Sequence, residues 1–423
     1  MNISLSILNN VDEGKLLKFL KDSGCEYLKE ELGMEINYWV AKMIDDGRLN
    51  IDDLNKYLLE ELFFGMHRAI NIYKINGIRK LQNIDLWCSN LFNKFGINKI
   101  PFNKILGTGV NRDDSEKIAA IDYIENDEGE IEKLRILFVE NTATIHSTGI
   151  SYTYSYIPVE INFKLKIMII KARPRNKILP GNKPQEFQEK IYIKIKSNMN
   201  IDIIPFNIGE RIEHQESLYI MSKNILKELF NNIKGFKDIP KMDEYINNFY
   251  NQVLDGITLN NIEDKDGIKF INKGIMDVQY ELKNMLENLI VSDYLFNKDE
   301  DDIWSTGIST IITCICFNDS KNATARLSGE NRSKHIFNSK AFMDLRNSLE
   351  TVKNVNSLSI AYKKSRGCMK VKYDANLDDC LRILILSHRN YNESDFEMIW
   401  ERYSNNAKRH SETASSICKE QVG

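Results

Sequence analysis

The sequence predicts a multidomain α+β protein, in which helical and strand-rich segments follow one another along the chain. Its 423 residues are enough for two to four domains. Apolar residues recur at helical spacing in residues 1–105 and 215–302, whereas alternation with period two dominates residues 106–214. The two patterns mix in residues 303–403, and a polar tail covers residues 404–423.

Composition indicates an ordinary globular protein, with 42% hydrophobic and 28% charged residues. The seven cysteines are an odd number without framework spacing, so we expect reduced thiols and a cytoplasmic location. The N-terminus has no basic, then apolar, signal-peptide pattern, and no apolar run is long enough for a bilayer, so no membrane partner is expected. Frequent Ile, Asn and Lys with scarce Pro are typical of an AT-rich bacterial genome.

The first segment is predicted to be mainly helical. Asn50 is a suitable N-cap for a helix over 51–64, and two aspartates follow it at the positive end of the helix dipole. Residues 70–75 have the composition of a strand, and Asn76-Gly77 is a turn signal. The other helices predicted here cover residues 15–20, 27–44 and 84–95.

The second segment is predicted to be rich in strands. Residues 118–124 and 131–139 flank the turn sequence NDEG and predict a hairpin. Residues 142–157, rich in Thr, Tyr and Ser, predict another strand pair. Strands are also predicted over 161–170, 190–196 and 201–208.

The remaining segments combine both kinds of element. Helices are predicted over 218–233, 242–254 and 275–295, then over 340–352 with Ser339 as cap, and over 394–402. Strands are predicted over 308–317, 323–327, 358–362, 369–373 and 381–386.

Residues 161–199 are the most basic stretch of the chain. They hold ten lysines and arginines against two glutamates, a net charge of +8 in a chain whose total is −3. Alternation predicts that the two strands of this stretch each carry lysines on a solvated face, joined by a proline-rich loop. The predicted nucleic-acid-binding residues are Lys164, Lys166, Arg173, Arg175, Lys177, Lys190, Tyr192, Lys194 and Lys196.

Such a patch attracts phosphate groups without reading base sequence, and Tyr192 offers a ring for base stacking. The alternative is that these lysines keep the outer face of a sheet soluble and protect its edges from aggregation. A second basic group, Lys370 and Lys372, shares one face of the predicted strand over 369–373 and extends the same surface if both groups face one way.

Motifs for common cofactors are absent. The sequence contains no G-x-x-x-x-G-K-[ST] phosphate loop, no complete G-x-G-x-x-G, no H-E-x-x-H and no C-x-x-C. A partial calcium loop at Asp264 and Asp266 fails at its first and twelfth ligand positions. We therefore expect no cofactor, no metal and no catalytic residue, and no motif indicates a known family.

One catalytic alternative is a metal-dependent nuclease. Asp122, Glu125, Glu140 and Glu160 are acids on or near strands beside the basic stretch, where carboxylates hold magnesium in such enzymes. The expected Glu-x-Lys spacing is missing after Glu160, and solvated carboxylates at strand ends are the favoured explanation of these residues.

The sequence thus favours a non-enzymatic cytoplasmic subunit that binds an anionic partner, with nucleic acid as the leading candidate. A bacterial phage-defence or mobile-element complex is a suitable context. The alternatives are a protein–protein adaptor, whose acidic remainder and apolar helix faces bind partner subunits, and the nuclease.

Overall fold

A computed structural model gives the architecture. It describes residues 5–8, 10–76, 79–107, 117–146, 149–174, 183–198, 203–204, 208–233, 236, 241–256, 278–295, 298, 300–318, 324–329, 334–337, 340–365, 367–386 and 390–420. The chain forms two compact units. The first contains residues 1–214 and 371–411, and the second contains residues 215–370 and 412–423.

Helices and strands alternate along the chain, which confirms the α+β class. The helices are α1 (Leu5–Leu8), α2 (Glu13–Asp22), α3 (Ile36–Asp45), α4 (Ile51–Phe63), α5 (Ile84–Phe95), α6 (Pro184–Asn198), α7 (Ile208–Asn231), α8 (Asp243–Gly256), α9 (Val278–Leu295), α10 (Glu300–Ser305), α11 (Lys340–Val352) and α12 (Glu393–Glu420). The strands are β1 (Ala69–Ile75), β2 (Phe102–Asn103), β3 (Lys117–Glu125), β4 (Ile131–His146), β5 (Gly149–Asn162), β6 (Ile167–Ala172), β7 (Ile203–Ile204), β8 (Thr310–Asn318), β9 (Thr324–Ser328), β10 (Ser357–Lys363), β11 (Cys368–Asp374) and β12 (Leu381–Ile385). Among the described residues, no helix is both long and apolar enough to cross a bilayer.

The first unit is built on an antiparallel sheet with the strand order β2-β3-β4-β5-β6-β1-β12-β11, and β7 also pairs with β1. Strand β1 comes early in the chain and lies between β6 and β12. Its residue Ala69 is opposite Ala172 on one side and Leu384 on the other. Three segments that are distant in sequence therefore meet at the centre of this sheet.

The two faces of this sheet are covered differently. On one face, apolar residues of β4, β5 and β6 pack with Trp87 and Leu91 of α5 and with Ile191 and Ile195 of α6. Gln188 of α6 is buried and donates hydrogen bonds to the carbonyl oxygens of Ala69 and Ile170, at 2.9 and 2.8 Å. The opposite face contacts α4 and α12 and carries the charged groups described below.

The second unit contains the antiparallel strands β10-β8-β9 and the helices α7, α8, α9, α10 and α11. Strand β10 is fully buried apart from its last residue, Lys363. Ion pairs join some of the helices, between Lys283 and Asp243 and between Arg346 and Glu287.

Most predicted elements are confirmed, especially where a local signal defines an end. Asn50 caps α4 by accepting a hydrogen bond from the Asp52 N–H at 2.8 Å. The hairpin around NDEG forms between β3 and β4, and the predicted strand pair over 142–157 is the hairpin of β4 and β5. Ser339, the predicted cap of α11, lies outside the described residues.

The predicted continuous strand over 161–170 is wrong at its centre. Strand β5 ends at Asn162, residues 163–166 form a turn, and β6 begins at Ile167. The Asn162 side chain accepts a hydrogen bond from the Leu165 N–H at 2.8 Å, and Lys166 has a positive φ of 54°. An asparagine whose side chain accepts a hydrogen bond from a backbone N–H a few residues ahead stabilises a turn. The alternation of lysines with apolar residues through this segment resembles a strand pattern, but the turn interrupts the strand.

The predicted strand over 190–196 is also wrong, because these residues belong to helix α6. Phe187, Ile191 and Ile195 recur every four residues and are all buried, whereas Ile193 is 55% exposed. Pro184 suits the first helical position, and the Glu186 side chain accepts a hydrogen bond from the Lys183 N–H at 2.5 Å. The spacing of the isoleucines is compatible with the two-residue period of a strand and with the four-residue spacing of a helix face. Packing of Ile191 and Ile195 against the sheet favours the helix.

Helix α12 extends to Glu420, well past the predicted end at 402 and through most of the predicted polar tail. Residues 403–420 contain neither Gly nor Pro, so nothing in their sequence stops a helix once it has begun.

Candidate functional site

The predicted basic residues of α6 lie on a helix rather than on a strand face. Lys190 donates a hydrogen bond to Glu140 at 2.7 Å and is therefore engaged with a buried carboxylate. Lys194 is half-buried and Lys196 is exposed. Burial lowers the pKa of Lys194, and the nearby ammonium of Lys94 in α5 lowers it further. Two positive charges from different helices are thus held close together.

A second pair of like charges lies where β1 and β6 end. Arg68 precedes Ala69 and Arg173 follows Ala172, and these two alanines are directly opposite each other. Both arginines are half-buried. Burial lowers the pKa of each, and the charge of Arg68 lowers the pKa of Arg173 further. Two guanidinium groups in this position favour an anion between or beside them.

The other predicted residues take varied positions. Lys164 and Lys166 are exposed in the turn between β5 and β6, and Lys164 lies 3.5 Å from Glu132. Tyr192 is only 9% exposed and its ring stacks on Tyr73 with 4.6 Å between centroids, so it faces the core and leaves no open face for a base.

Strand β11 shows the predicted alternation. Lys370 and Lys372 are half-buried between the buried residues Met369, Val371 and Tyr373, and Lys372 lies 2.6 Å from Asp374. Arg175 and Lys177 lie outside the described residues.

Two of the four acids considered for a nuclease are engaged by cations. Glu140 accepts the hydrogen bond of Lys190, and Glu160 is bound by Arg135 at 3.0 Å. Within the ranges that the structure describes, no three His, Cys, Asp or Glu side chains form a group able to hold a metal ion. Glu140 and Glu160 therefore serve as ion-pair partners.

A buried charged group, which we name the Arg135 cluster, occupies the face of the sheet toward α4 and α12. Its members are Arg135, Glu160, Lys171, Glu60 and Glu393. The strand register builds it: Arg135 of β4 is opposite Glu160 of β5, and Glu160 is opposite Ile169 of β6. Lys171, two residues beyond Ile169, lies on the same face.

Arg135 is the hub of this cluster. It donates hydrogen bonds to Glu160 at 3.0 Å, to Glu60 at 3.5 Å and, through a short contact, to Glu393. Burial lowers the pKa of Arg135, but the attraction of Glu160 and Glu393 outweighs burial, so the net shift is upward. The guanidinium therefore stays charged and ties α4 and α12 to the sheet.

Lys171 is the least expected member. It is 1% exposed, and its Nζ has no hydrogen-bond partner among the described residues. The ammonium lies 3.7 Å from the ring centroid of Phe64 and 5.1 Å from that of Phe396. Burial lowers the pKa of Lys171 to about 8, although Glu160 acts in the opposite direction. The sequence signal for a buried lysine was its place inside the apolar run IMIIKA. A lysine in such a run can also be exposed, so the sequence did not establish that Lys171 is buried.

A pocket of about 240 Å³ opens beside the Arg135 cluster. Its apolar wall includes Phe64, Phe396 and Ile169, and its rim carries both acids and lysines. The lining residues are Phe64, Glu132, Lys133, Glu160, Asn162, Lys164, Leu165, Ile167, Ile169, Glu393, Phe396, Glu397 and Trp400.

Comparison of the sequence with protein-family models and with curated proteins finds no match.

Proposed function

We propose that this protein is a non-enzymatic, cytoplasmic subunit that binds nucleic acid through phosphate contacts. The binding surface would include Lys94 of α5, Lys194 and Lys196 of α6, and the pair Arg68 and Arg173. A bacterial defence or mobile-element complex remains the proposed setting.

The observation that carries this proposal is the close placement of like charges from separate elements. Arg68 and Arg173 flank a directly paired position of β1 and β6, and Lys94 lies near Lys194. Like charges held close together repel each other, and a bound phosphate relieves that repulsion. Contacts of this kind position a nucleic acid but do not read its bases.

A salt titration tests the proposal. Labelled single- and double-stranded DNA and RNA are titrated with the wild-type chain and with the variant Lys94→Glu/Lys194→Glu/Lys196→Glu. Because each phosphate contact adds about one unit to the slope of log K against log salt, we expect the variant to lose about two to three units of slope and at least about tenfold in affinity.

A matched control carries the same change in net charge. Lys18, Lys21 and Lys56 are exposed lysines of α2 and α4, and their triple change to Glu alters the charge equally. We expect this control to bind nearly as the wild type does. Equal losses in both variants would mean that only overall charge matters, and absence of binding by the wild type near 50 mM salt (about the lower end of such titrations) would refute the proposal.

One observation favours the adaptor alternative. In the second unit, α8 exposes Tyr245 and Phe249 by 74% and 54%, and α9 exposes Met285 and Leu289 by 67% and 66%. Each pair has a four-residue spacing that places it on one side of its helix. Association with a copurifying protein that persists at about 0.5 M salt and is lost in Tyr245→Ser/Phe249→Ser would support an adaptor.

A further inference from the structure

The pocket beside the Arg135 cluster shares its wall with the site of a buried amine. Phe64 and Phe396 both line the pocket, and the same two rings hold the Nζ of Lys171 at 3.7 and 5.1 Å from their centroids. Ile169, another lining residue, precedes Lys171 by two positions on the same face of β6. The amine thus lies directly behind the apolar wall of the pocket.

The hydrogen-bonding capacity of this amine is unused within the described part of the chain. A lysine ammonium has three donors, and a buried polar group without partners is costly. The carboxylate of Glu160 is bound to Arg135, and Glu393 is bound to Arg135 as well. Instead of hydrogen bonds, the ammonium of Lys171 makes cation–π contacts with the rings of Phe64 and Phe396.

We propose that Lys171 is the nucleophilic amine of a small-molecule site, which takes an uncharged aldehyde or ketone into the pocket and forms an imine with it. This site is separate from the basic surface proposed for nucleic acid.

The lining of the pocket suits an uncharged ligand. Four glutamates (Glu132, Glu160, Glu393 and Glu397) and two lysines (Lys133 and Lys164) line it, so neither sign of ligand charge is favoured throughout, whereas the apolar wall favours an apolar group. An apolar cavity of about 150 Å³ accommodates benzene, so the pocket volume of about 240 Å³ is enough for a single aromatic ring that carries a carbonyl group.

The chemical step needs no oxidant or reductant. The lone pair of the neutral Nζ attacks the carbonyl carbon and forms a C–N bond, and a proton moves from nitrogen to oxygen to give a carbinolamine. The C–O bond then breaks, and the oxygen leaves as water with the two hydrogens that the amine has lost. A pKa near 8 leaves a substantial neutral fraction of Lys171 in mildly alkaline solution.

Reductive trapping tests this proposal on the full chain. The protein is incubated with benzaldehyde and cyanoborohydride over a pH range from about 6 to 10, and the benzylated residues are mapped by peptide mass spectrometry. We expect one fast modification at Lys171, at least about tenfold faster than at other lysines, with half-maximal rate near pH 8.

Two exposed lysines that do not line the pocket provide matched controls. Lys18→Arg and Lys21→Arg should keep the fast modification, whereas Lys171→Arg and Lys171→Met should lose it. Phe64→Ala removes a ring that Lys171 contacts and should accelerate the reaction. Circular dichroism verifies that each variant is folded.

The wild-type map decides the question even if a variant fails to fold. Fast label on Lys171 supports the proposal. Label on Lys133 or Lys164 instead, label scattered over surface lysines, or an unlabelled Lys171 would each overturn it. Label on Lys171 that appears only in Phe64→Ala would also overturn it, because the native wall would then exclude the ligand.

Discussion

Replacing Lys171 by methionine removes a buried charge from the Arg135 cluster while keeping an unbranched side chain of similar length. The ammonium is 1% exposed and its pKa falls from 10.5 to about 8 because burial disfavours the charged form. The folded protein therefore holds this charge at a cost, and the variant should be more stable than the wild type at neutral pH.

The magnitude follows from the shift. At about 1.4 kcal/mol for each pKa unit, the charged lysine destabilises the folded state by about 3 kcal/mol. Contact of the ammonium with the ring of Phe64 offsets about 1–2 kcal/mol of this cost. We therefore expect Lys171→Met to raise the free energy of unfolding by about 1–2 kcal/mol at pH 7.

The pH dependence has a defined sign. The folded-state pKa lies below the unfolded-state value, so between about pH 8 and pH 10.5 the unfolded chain binds more protons at this lysine than the folded chain does. The contribution of Lys171 to wild-type stability therefore rises with pH across this window. Because wild-type stability rises by about 1.4 kcal/mol for each pH unit above about pH 8, the advantage of the variant should disappear near about pH 9 and reverse above it.

Urea denaturation at several pH values between about 7 and 10 measures this difference, and the titration of all other lysines cancels between the two proteins. Lys18→Met, at an exposed lysine of α2, is the control for the loss of one lysine from the chain. A Lys171→Met variant that is less stable than the wild type at pH 7, or whose difference from the wild type does not change with pH, would contradict the cost assigned to the buried ammonium.

Two further outcomes are expected. Arg135→Met should lower the free energy of unfolding by about 3–5 kcal/mol, because it leaves the buried Glu160 without its partner. Adding Glu160→Gln should recover part of this loss in a double-mutant cycle measured by urea denaturation. If the effects of the two substitutions simply add, the ion pair is contradicted. Glu31→Gln should destabilise the protein at pH 7, because hydrogen bonds from the Leu28 N–H and from Arg48 and Trp39 hold the pKa of Glu31 near 2. That pKa is below its unfolded value of 4.5, so the stabilisation is present above pH 4.5 and is lost as the pH falls toward 2, and thermal denaturation of both proteins should converge there.

Local signals were enough to predict many elements. Residues close in sequence determine the Asn50 cap, the NDEG turn and the alternation in β11. Such local signals predict the same structure whatever the rest of the fold. The basic stretch was ambiguous for the opposite reason. Its isoleucines fit both a strand and a helix, and burial of Ile191 and Ile195 against the sheet favours the helix.

The basic residues illustrate the same limit. Their number and net charge are properties of the sequence, but their availability to a ligand is not. Tyr192 is buried against Tyr73 and Lys190 is engaged with Glu140, whereas Arg68, which the sequence did not single out, becomes the neighbour of Arg173 through the register of β1 and β6.

The Arg135 cluster could not be derived from sequence. Arg135 contacts Glu393, which is 258 residues away, and acids from three other elements lie near the charge of Lys171. Composition and periodicity describe which residues are charged and which faces are apolar. Which charges are removed from water, and which opposite charges meet them there, depends on strand register and on the helices that cover the sheet, because the interaction energy of two charges depends on their separation and on the solvent between them.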